Sequence, residues 1–154
     1  MKTLLMLPAA LALLCASPVM AKEADFCGEY TSVDTGETRV DMGNKTTFIH
    51  FRSSTQMYAP DGSKYHQLSG QCTGGAVVYP DGSVEAEGLC AVEDTEGDVL
   101  TYAFTQGRTA REGKYIRKGG TGKFASARET GWYKPVSLNG EITTGHWGGK
   151  EACK

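Results

Sequence analysis

Two short turns in segment 71–105 constrain the fold of this chain more than any other feature of its sequence. In the first, Tyr79-Pro80-Asp81-Gly82, proline suits the second place of a type I turn and glycine can take the left-handed backbone that follows. Ser83 then lies opposite Tyr79, which fixes an antiparallel register. On one face the register pairs like with like: Val78 with Val84, Ala76 with Ala86, Gly74 with Gly88, and Cys72 with Cys90. We predict that this face is buried.

The second turn, Asp94-Thr95-Glu96-Gly97, adds a third strand to this hairpin. Glycine again occupies the last place of the turn, so Asp98 lies opposite Asp94. The resulting register pairs Val92 with Leu100, Cys90 with Tyr102, and Gly88 with Phe104. A large aromatic ring over a glycine fills the space that a missing side chain leaves in a strongly curved sheet. We expect a meander whose inner face carries Val78, Val84, Ala86, Val92, Leu100, Tyr102 and Phe104.

The rest of the chain fits the same all-β class. It has 20 glycines and short alternating runs separated by turn residues, with little helical periodicity. Segment 46–54 is a further predicted strand, and residues 60–63 repeat the Pro-Asp-Gly-Ser turn. A single antiparallel β-barrel of about eight strands closes such a sheet and removes its exposed edges. The interior of so small a barrel is either filled by side chains or holds one small ligand.

Cysteine usage predicts two disulfides. Four of the five cysteines lie beyond residue 21, and the hairpin register places Cys72 directly opposite Cys90, at a separation that a disulfide tolerates. By elimination Cys27 pairs with Cys153, which would hold the first and last strands together. No two cysteines have CxxC spacing and the three histidines are scattered, so we predict no metal site.

The amino terminus has the features of a secretory signal peptide. Lys2 precedes a long apolar run that breaks at Pro18 and is followed by small residues. A transmembrane anchor is the alternative, but the run is too short for a bilayer. We predict a signal peptide over residues 1–21, cleavage after Ala21, one barrel domain over residues 22–154, and a periplasmic or secreted location.

The charge balance argues against polyanionic partners. The chain has 16 basic and 18 acidic residues, and loss of Lys2 leaves 15 against 18, a net charge of −3. We expect neither nucleic-acid binding nor membrane binding after signal cleavage. Segment 81–98 holds seven acids and no base, whereas segment 108–128 holds seven bases and one acid. Either these segments neutralise each other as neighbouring surfaces, or the basic one attracts a carboxylated ligand or an acidic partner.

The stretch GGTGKF, residues 119–124, is glycine-rich without being a phosphate loop. A Walker-type loop needs a glycine in place of Arg117 and a hydroxyl residue in place of Phe124. Consecutive glycines instead permit a tight turn of the backbone, after which the ring of Phe124 can point back into the core. We predict a structural turn motif formed by Gly119, Gly120, Thr121, Gly122 and Phe124.

Residues 119–128 resemble a motif that ends a strand and starts the next turn in the allene oxide cyclase and dirigent superfamily of β-barrels. Members often have a glycine soon after the aromatic residue, whereas this chain reaches one only at Gly131. The resemblance implies an exported bacterial barrel. It also implies an apolar ligand inside the barrel or at its mouth, since the plant members include a fatty-acid epoxide cyclase and proteins that steer phenoxy-radical coupling. A shared fold does not by itself establish a shared activity.

No catalytic constellation is recognisable, and we expect no cofactor: the chain has neither GxSxG nor HExxH. Tyr102 and Phe104 are the first ligand-binding candidates because the register places them inward. His50, Arg52 and Tyr115 are the polar candidates, although the alternation of residues 48–52 leaves open whether His50 and Arg52 face the interior or solvent. Three functions fit: a binder of a small apolar or amphipathic ligand without established catalysis, an isomerase or cyclase acting in the barrel, or a protein-binding inhibitor module.

Overall fold

The chain folds into a closed antiparallel β-barrel. The computed structural model describes residues 27–149, so the predicted signal peptide and Cys153 lie outside the described residues. Consecutive strands pair with each other, and β1 closes the barrel against β8. The all-β barrel of about eight strands is thereby confirmed. The strands are β1 Cys27–Asp41, β2 Thr47–Tyr58, β3 Leu68–Val78, β4 Val84–Glu93, β5 Val99–Gln106, β6 Gly113–Gly120, β7 Thr130–Asn139 and β8 Ile142–Gly148.

The predicted meander is present with its predicted register. Every pairing expected between β3 and β4 and between β4 and β5 is found, including Gly88 opposite Phe104. The first turn is closed by the amide of Tyr79, which donates to the carbonyl of Ser83 at 3.0 Å, and Gly82 has the required positive φ of 80°. Because turn chemistry sets the register of a hairpin, two four-residue turns were sufficient to place three strands.

Cys72 and Cys90 form a disulfide across β3 and β4. Their α-carbons lie 4.0 Å apart at directly opposed positions. This is the disulfide seen in the described part of the chain. The second predicted bond depends on Cys153, which lies outside it.

The two ends of the barrel differ. The floor is the end where loops 59–67, 94–98 and 121–129 gather, and the mouth is the opposite end. Large side chains pack the floor, where the following are at most 2% exposed: Trp147, Tyr65, Phe124, Leu68, Leu100 and Val92. Toward the mouth the inward apolar side chains are only half-buried, namely Ile49, Phe51, Val78, Val84 and Ala86. The barrel is therefore closed below and open above. Among the described residues no helix has the length and apolar character needed to span a bilayer.

The glycine-rich stretch forms part of the floor. The ring of Phe124 is fully buried and stacks on Tyr65 at a centroid distance of 5.8 Å. Gly119 and Gly122 have positive φ angles of 104° and 45°, which let the chain leave β6 and turn back. The Lys123 amide donates to the carboxylate of Asp98 at 3.0 Å, so the acidic turn between β4 and β5 anchors the stretch.

Candidate ligand-binding cavity

The barrel interior between floor and mouth contains a cavity of about 120 Å³. Its wall consists of aromatic rings, hydroxyl groups, a thioether and the disulfide. An engineered cavity of about 150 Å³ holds benzene, so this somewhat smaller cavity suits a molecule of at most about one ring. The lining residues are Tyr30, Ser32, Ser53, Thr55, Met57, Cys72, Cys90, Tyr102, Phe104, Tyr115, Tyr133 and Trp147.

Glycines on neighbouring strands fix the positions of the aromatic rings. At six positions a Cβ added to a glycine would meet the ring of an opposed aromatic residue within 3.0 Å. Each ring therefore occupies the space that a side chain on the opposed glycine would fill, as in the aromatic rescue of strand glycines. The pairs are Trp147 over Gly28, Tyr30 over Gly145, Phe51 over Gly74, Phe104 over Gly88, Tyr133 over Gly113 and Tyr115 over Gly131.

Some of the cavity's hydroxyl groups are bonded within the protein. The Tyr115 hydroxyl donates to the carbonyl of Gly148 at 2.8 Å and accepts from Arg117 at 3.2 Å. The Tyr102 hydroxyl lies 3.5 Å from the sulfur of Met57. The Thr55 hydroxyl donates a hydrogen bond to the Ser32 hydroxyl at 2.8 Å, so these two wall residues are bonded to each other.

Three other hydroxyl groups make no hydrogen bond to another residue in the range 27–149. They belong to Tyr30, Ser53 and Tyr133. Ser53 is only 4% exposed, and it lines the cavity. Buried hydroxyl groups normally find a partner, because leaving one unbonded costs about 1–3 kcal/mol. These three groups are the polar contacts that the cavity can offer to a molecule inside it.

Three phenols of the cavity, those of Tyr30, Tyr102 and Tyr133, are held in their neutral form. Burial raises the pKa of Tyr30 from 10.0 to about 12. Burial also raises the pKa of Tyr102 strongly, and the neighbouring phenols of Tyr115, Tyr30 and Tyr133 add to the effect. The pKa of Tyr133 is raised by the same causes, burial first and then Tyr30. The cavity therefore disfavours negative charge.

Arg117 is the buried cation nearest to this site, at 3% exposure beneath Tyr115. Its guanidinium lies over the Tyr65 ring at 3.7 Å and pairs with Glu129 at 3.4 Å. Its contacts with Tyr65 and Glu129 belong to the floor. None of the residues that line the cavity is charged.

The structure brings three of the five predicted binding candidates together. Tyr102, Phe104 and Tyr115 line the cavity. His50 and Arg52 do not, because β2 alternates so that Ser53 and its inward neighbours take the interior face. Both side chains are exposed on the outer wall, where the His50 ring lies 3.4 Å from the hydroxyl of Thr73. Of the two placements that the alternation of residues 48–52 left open for His50 and Arg52, the structure has the exposed one.

Sequence reasoning missed Tyr30, Tyr133 and Trp147. A signal for them exists in four Gly-x-aromatic triplets, in which glycine and the ring share one face of a strand. When two such triplets pair on antiparallel strands, the aromatic ring of each triplet lies over the glycine of the other. The observed pairings show this for β1 with β8 and for β6 with β7. The triplets are Gly28-Glu29-Tyr30, Gly113-Lys114-Tyr115, Gly131-Trp132-Tyr133 and Gly145-His146-Trp147.

The acidic and basic segments meet at two places. Lys123 pairs with Asp94 at 2.6 Å and with Glu96 at 3.2 Å, and Arg108 pairs with Asp81 at 2.9 Å. Within residues 27–149 the carboxylates of Asp94, Glu96 and Asp98 come within 4.8 Å of one another, close enough for a metal ion. The Lys123 ammonium already compensates their charge, so we assign no metal to them.

Comparison with known proteins supports the fold. Neither a protein-family model nor a curated protein matches the chain. A solved structure of a protein of unknown function from Clostridium acetobutylicum ATCC 824 is similar, with a TM-score of 0.55 and 8% sequence identity. The match covers 81% of this chain and 97% of that one. At this identity the likeness extends to the fold alone.

Proposed function

We propose that this protein is an exported β-barrel that binds a small apolar or amphipathic molecule in its cavity, without established catalysis. The observation that carries this proposal is the cavity itself: a space of about 120 Å³ walled by four tyrosines, a phenylalanine and a tryptophan. Ligand sites are typically apolar and aromatic with a few polar groups that fix orientation. The half-buried apolar residues toward the mouth provide a route of entry.

Isomerase or cyclase activity in the same cavity is the second candidate. The neutral phenols of Tyr102 and Tyr133 can donate hydrogen bonds to a carbonyl or epoxide oxygen and so polarise it. Their strongly raised pKa values make them poor proton donors and, because they stay protonated, unsuited to act as bases near neutral pH. Binding is therefore favoured over acid–base catalysis.

We also propose export to the periplasm or medium and membership of the allene oxide cyclase and dirigent-like barrels. The signal features of residues 1–21 support export, and the Cys72 to Cys90 disulfide fits an oxidising compartment. The family proposal rests on residues 119–128, which build the floor of an eight-stranded barrel here.

Native mass spectrometry of the protein isolated gently from its source cells tests the binding proposal. We expect a bound small molecule that is lost on denaturation. Two adjacent serines provide a matched pair of variants, because Ser53 faces the cavity and Ser54 is exposed on the outer wall. Ser53→Leu should fill the cavity and remove the bound mass, whereas Ser54→Leu should retain it. A cargo that persists in a folded Ser53→Leu protein would place the binding site elsewhere.

A further inference from the structure

We infer that the molecule bound in the cavity is uncharged and presents an oxygen acceptor, such as a carbonyl, to the hydroxyl groups of Tyr30 and Tyr133. This inference rests on the proposed function and specifies the chemical class of the ligand. It follows from the arrangement of the wall: two fixed phenol donors and a buried serine, surrounded by apolar rings.

The two phenols are fixed in direction by their strands. Tyr30 in β1 lies over Gly145, and Tyr133 in β7 lies over Gly113, so neither ring can move toward the backbone beneath it. Both line the cavity, and neither hydroxyl has a hydrogen-bond partner in the described part of the chain. A phenol donates one hydrogen bond. An acceptor oxygen inside the cavity can therefore accept a hydrogen bond from either phenol.

The other phenols are less suited to this role. Tyr115 uses its hydroxyl on Gly148 and Arg117, and Tyr102 lies against the Met57 sulfur. Ser53 on β2 adds a third hydroxyl from a different part of the wall. Because serine both donates and accepts, it can bind either an oxygen or a hydroxyl group at another position of the same molecule.

The electrostatics of the wall select against an anion. No cavity-lining residue is charged, and the guanidinium of Arg117 is paired with Glu129 beneath the floor. A carboxylate transferred from water into this cavity would lose its hydration without gaining a cation, which is strongly unfavourable. This argues for a neutral molecule over the carboxylated ligand that the sequence left open.

Isothermal titration calorimetry with three probes of one-ring size tests the inference. The probes are benzaldehyde, which is neutral with a carbonyl acceptor, toluene, which is neutral without one, and benzoate, which is charged. We expect benzaldehyde to bind about fivefold more tightly than toluene, the effect of one net hydrogen bond. Benzoate should bind roughly a hundredfold more weakly than benzaldehyde, or not at all.

Variants distinguish the contribution of the hydrogen bonds to ligand affinity from that of the cavity's shape. Tyr30→Phe and Tyr133→Phe retain the rings, and the double variant should bind benzaldehyde no better than toluene. Tyr58→Phe is the control, because Tyr58 is 45% exposed and hydrogen-bonds to Gln56. Equal affinity for benzaldehyde and toluene, or tighter binding of benzoate, would overturn the inference and leave the binding function standing. If none of the three probes binds, the proposed function fails and the inference with it.

Discussion

The ring of Phe104 lies over Gly88 on the adjacent strand, at a distance where an added Cβ would meet the ring at 2.5 Å. This relationship recurs at five further positions around the barrel. It shapes the interior in two ways. The rings cover the backbone and meet one another edge to face along the wall, which leaves a central space between them.

Replacing Gly88 with alanine should destabilise the fold. The new methyl group would collide with Phe104 and with the carbonyl oxygen of Thr73, and overpacking of this kind costs about 1–3 kcal/mol. Urea unfolding measures the loss. Gly107→Ala is the matched control, since nothing lies within 4 Å of its added Cβ, and its change should stay within about 0.5 kcal/mol. Equal stability of the two variants would contradict the ring-over-glycine account.

Removing the Cys72 to Cys90 disulfide should lower the free energy of unfolding by about 3 kcal/mol. The bond closes a loop with a sequence separation of 18, and the chain-entropy model gives roughly this value for such a loop. The measurement is denaturant unfolding of the protein carrying both Cys72→Ala and Cys90→Ala. An unfolding midpoint equal to that of the wild-type protein would count against a structural role for the bond.

Lys123→Met should destabilise the floor at neutral pH, because it leaves the carboxylate of Asp94 without its cation. Burial alone raises the pKa of Asp94, but hydrogen bonds from Lys123 and from the amides of Asp98 and Glu96 lower it below its ordinary value of 3.8. In the wild-type protein this stabilisation is present above the unfolded pKa and is lost as pH falls through the folded pKa.

The pH dependence provides the sharper test of that contact. The stability difference between wild type and Lys123→Met should shrink on acidification below about pH 4, as Asp94 becomes protonated. Lys118→Met removes an exposed lysine of β6 and serves as the control, with little effect at any pH. A stability difference between wild type and Lys123→Met that stays constant down to acidic pH would show that Lys123 acts through packing and not through charge.

Stability should also fall in alkaline solution. The unfolded chain loses the Tyr30 proton near its ordinary pKa of 10.0, whereas burial keeps the folded pKa at about 12. The contribution of Tyr30 is therefore complete below pH 10.0 and is lost progressively between 10.0 and about 12. The free energy of unfolding, measured across this pH window, should decline less steeply for Tyr30→Phe than for wild type or Tyr58→Phe. Identical slopes in all three proteins would contradict the burial of this phenol.

The sequence was most informative where turn chemistry and residue pairing agreed. The two turns of segment 71–105 placed three strands in register and the disulfide with them, because glycine in the last turn position leaves few alternatives. The rest of the cavity could not be placed in this way. Tyr30 and Tyr133 lie on strands whose partners are distant in sequence, and β1 contains an irregularity between Asp34 and Gly36 that changes which residues face inward.

The contact between Lys123 and Asp94 illustrates the same limit. Local sequence explains why the glycines turn and why Phe124 can return to the core. It does not reveal that an acidic turn 25 to 29 residues earlier surrounds the lysine, since that neighbourhood exists only after the strands have paired. The sequence likewise did not fix which face of β2 carries His50 and Arg52, because alternation alone left both faces open. The structure shows that both side chains are exposed.

A crystal structure of the protein with benzaldehyde locates the bound molecule. We predict one molecule inside the barrel, enclosed by Tyr102, Phe104 and Trp147, with its carbonyl oxygen within hydrogen-bond distance of Tyr30 or Tyr133. An outer groove beside His50, Thr73 and Leu89 offers a contrasting position on the same protein. Benzaldehyde bound only in that groove, with the barrel interior unchanged, would show that the cavity is not the binding site.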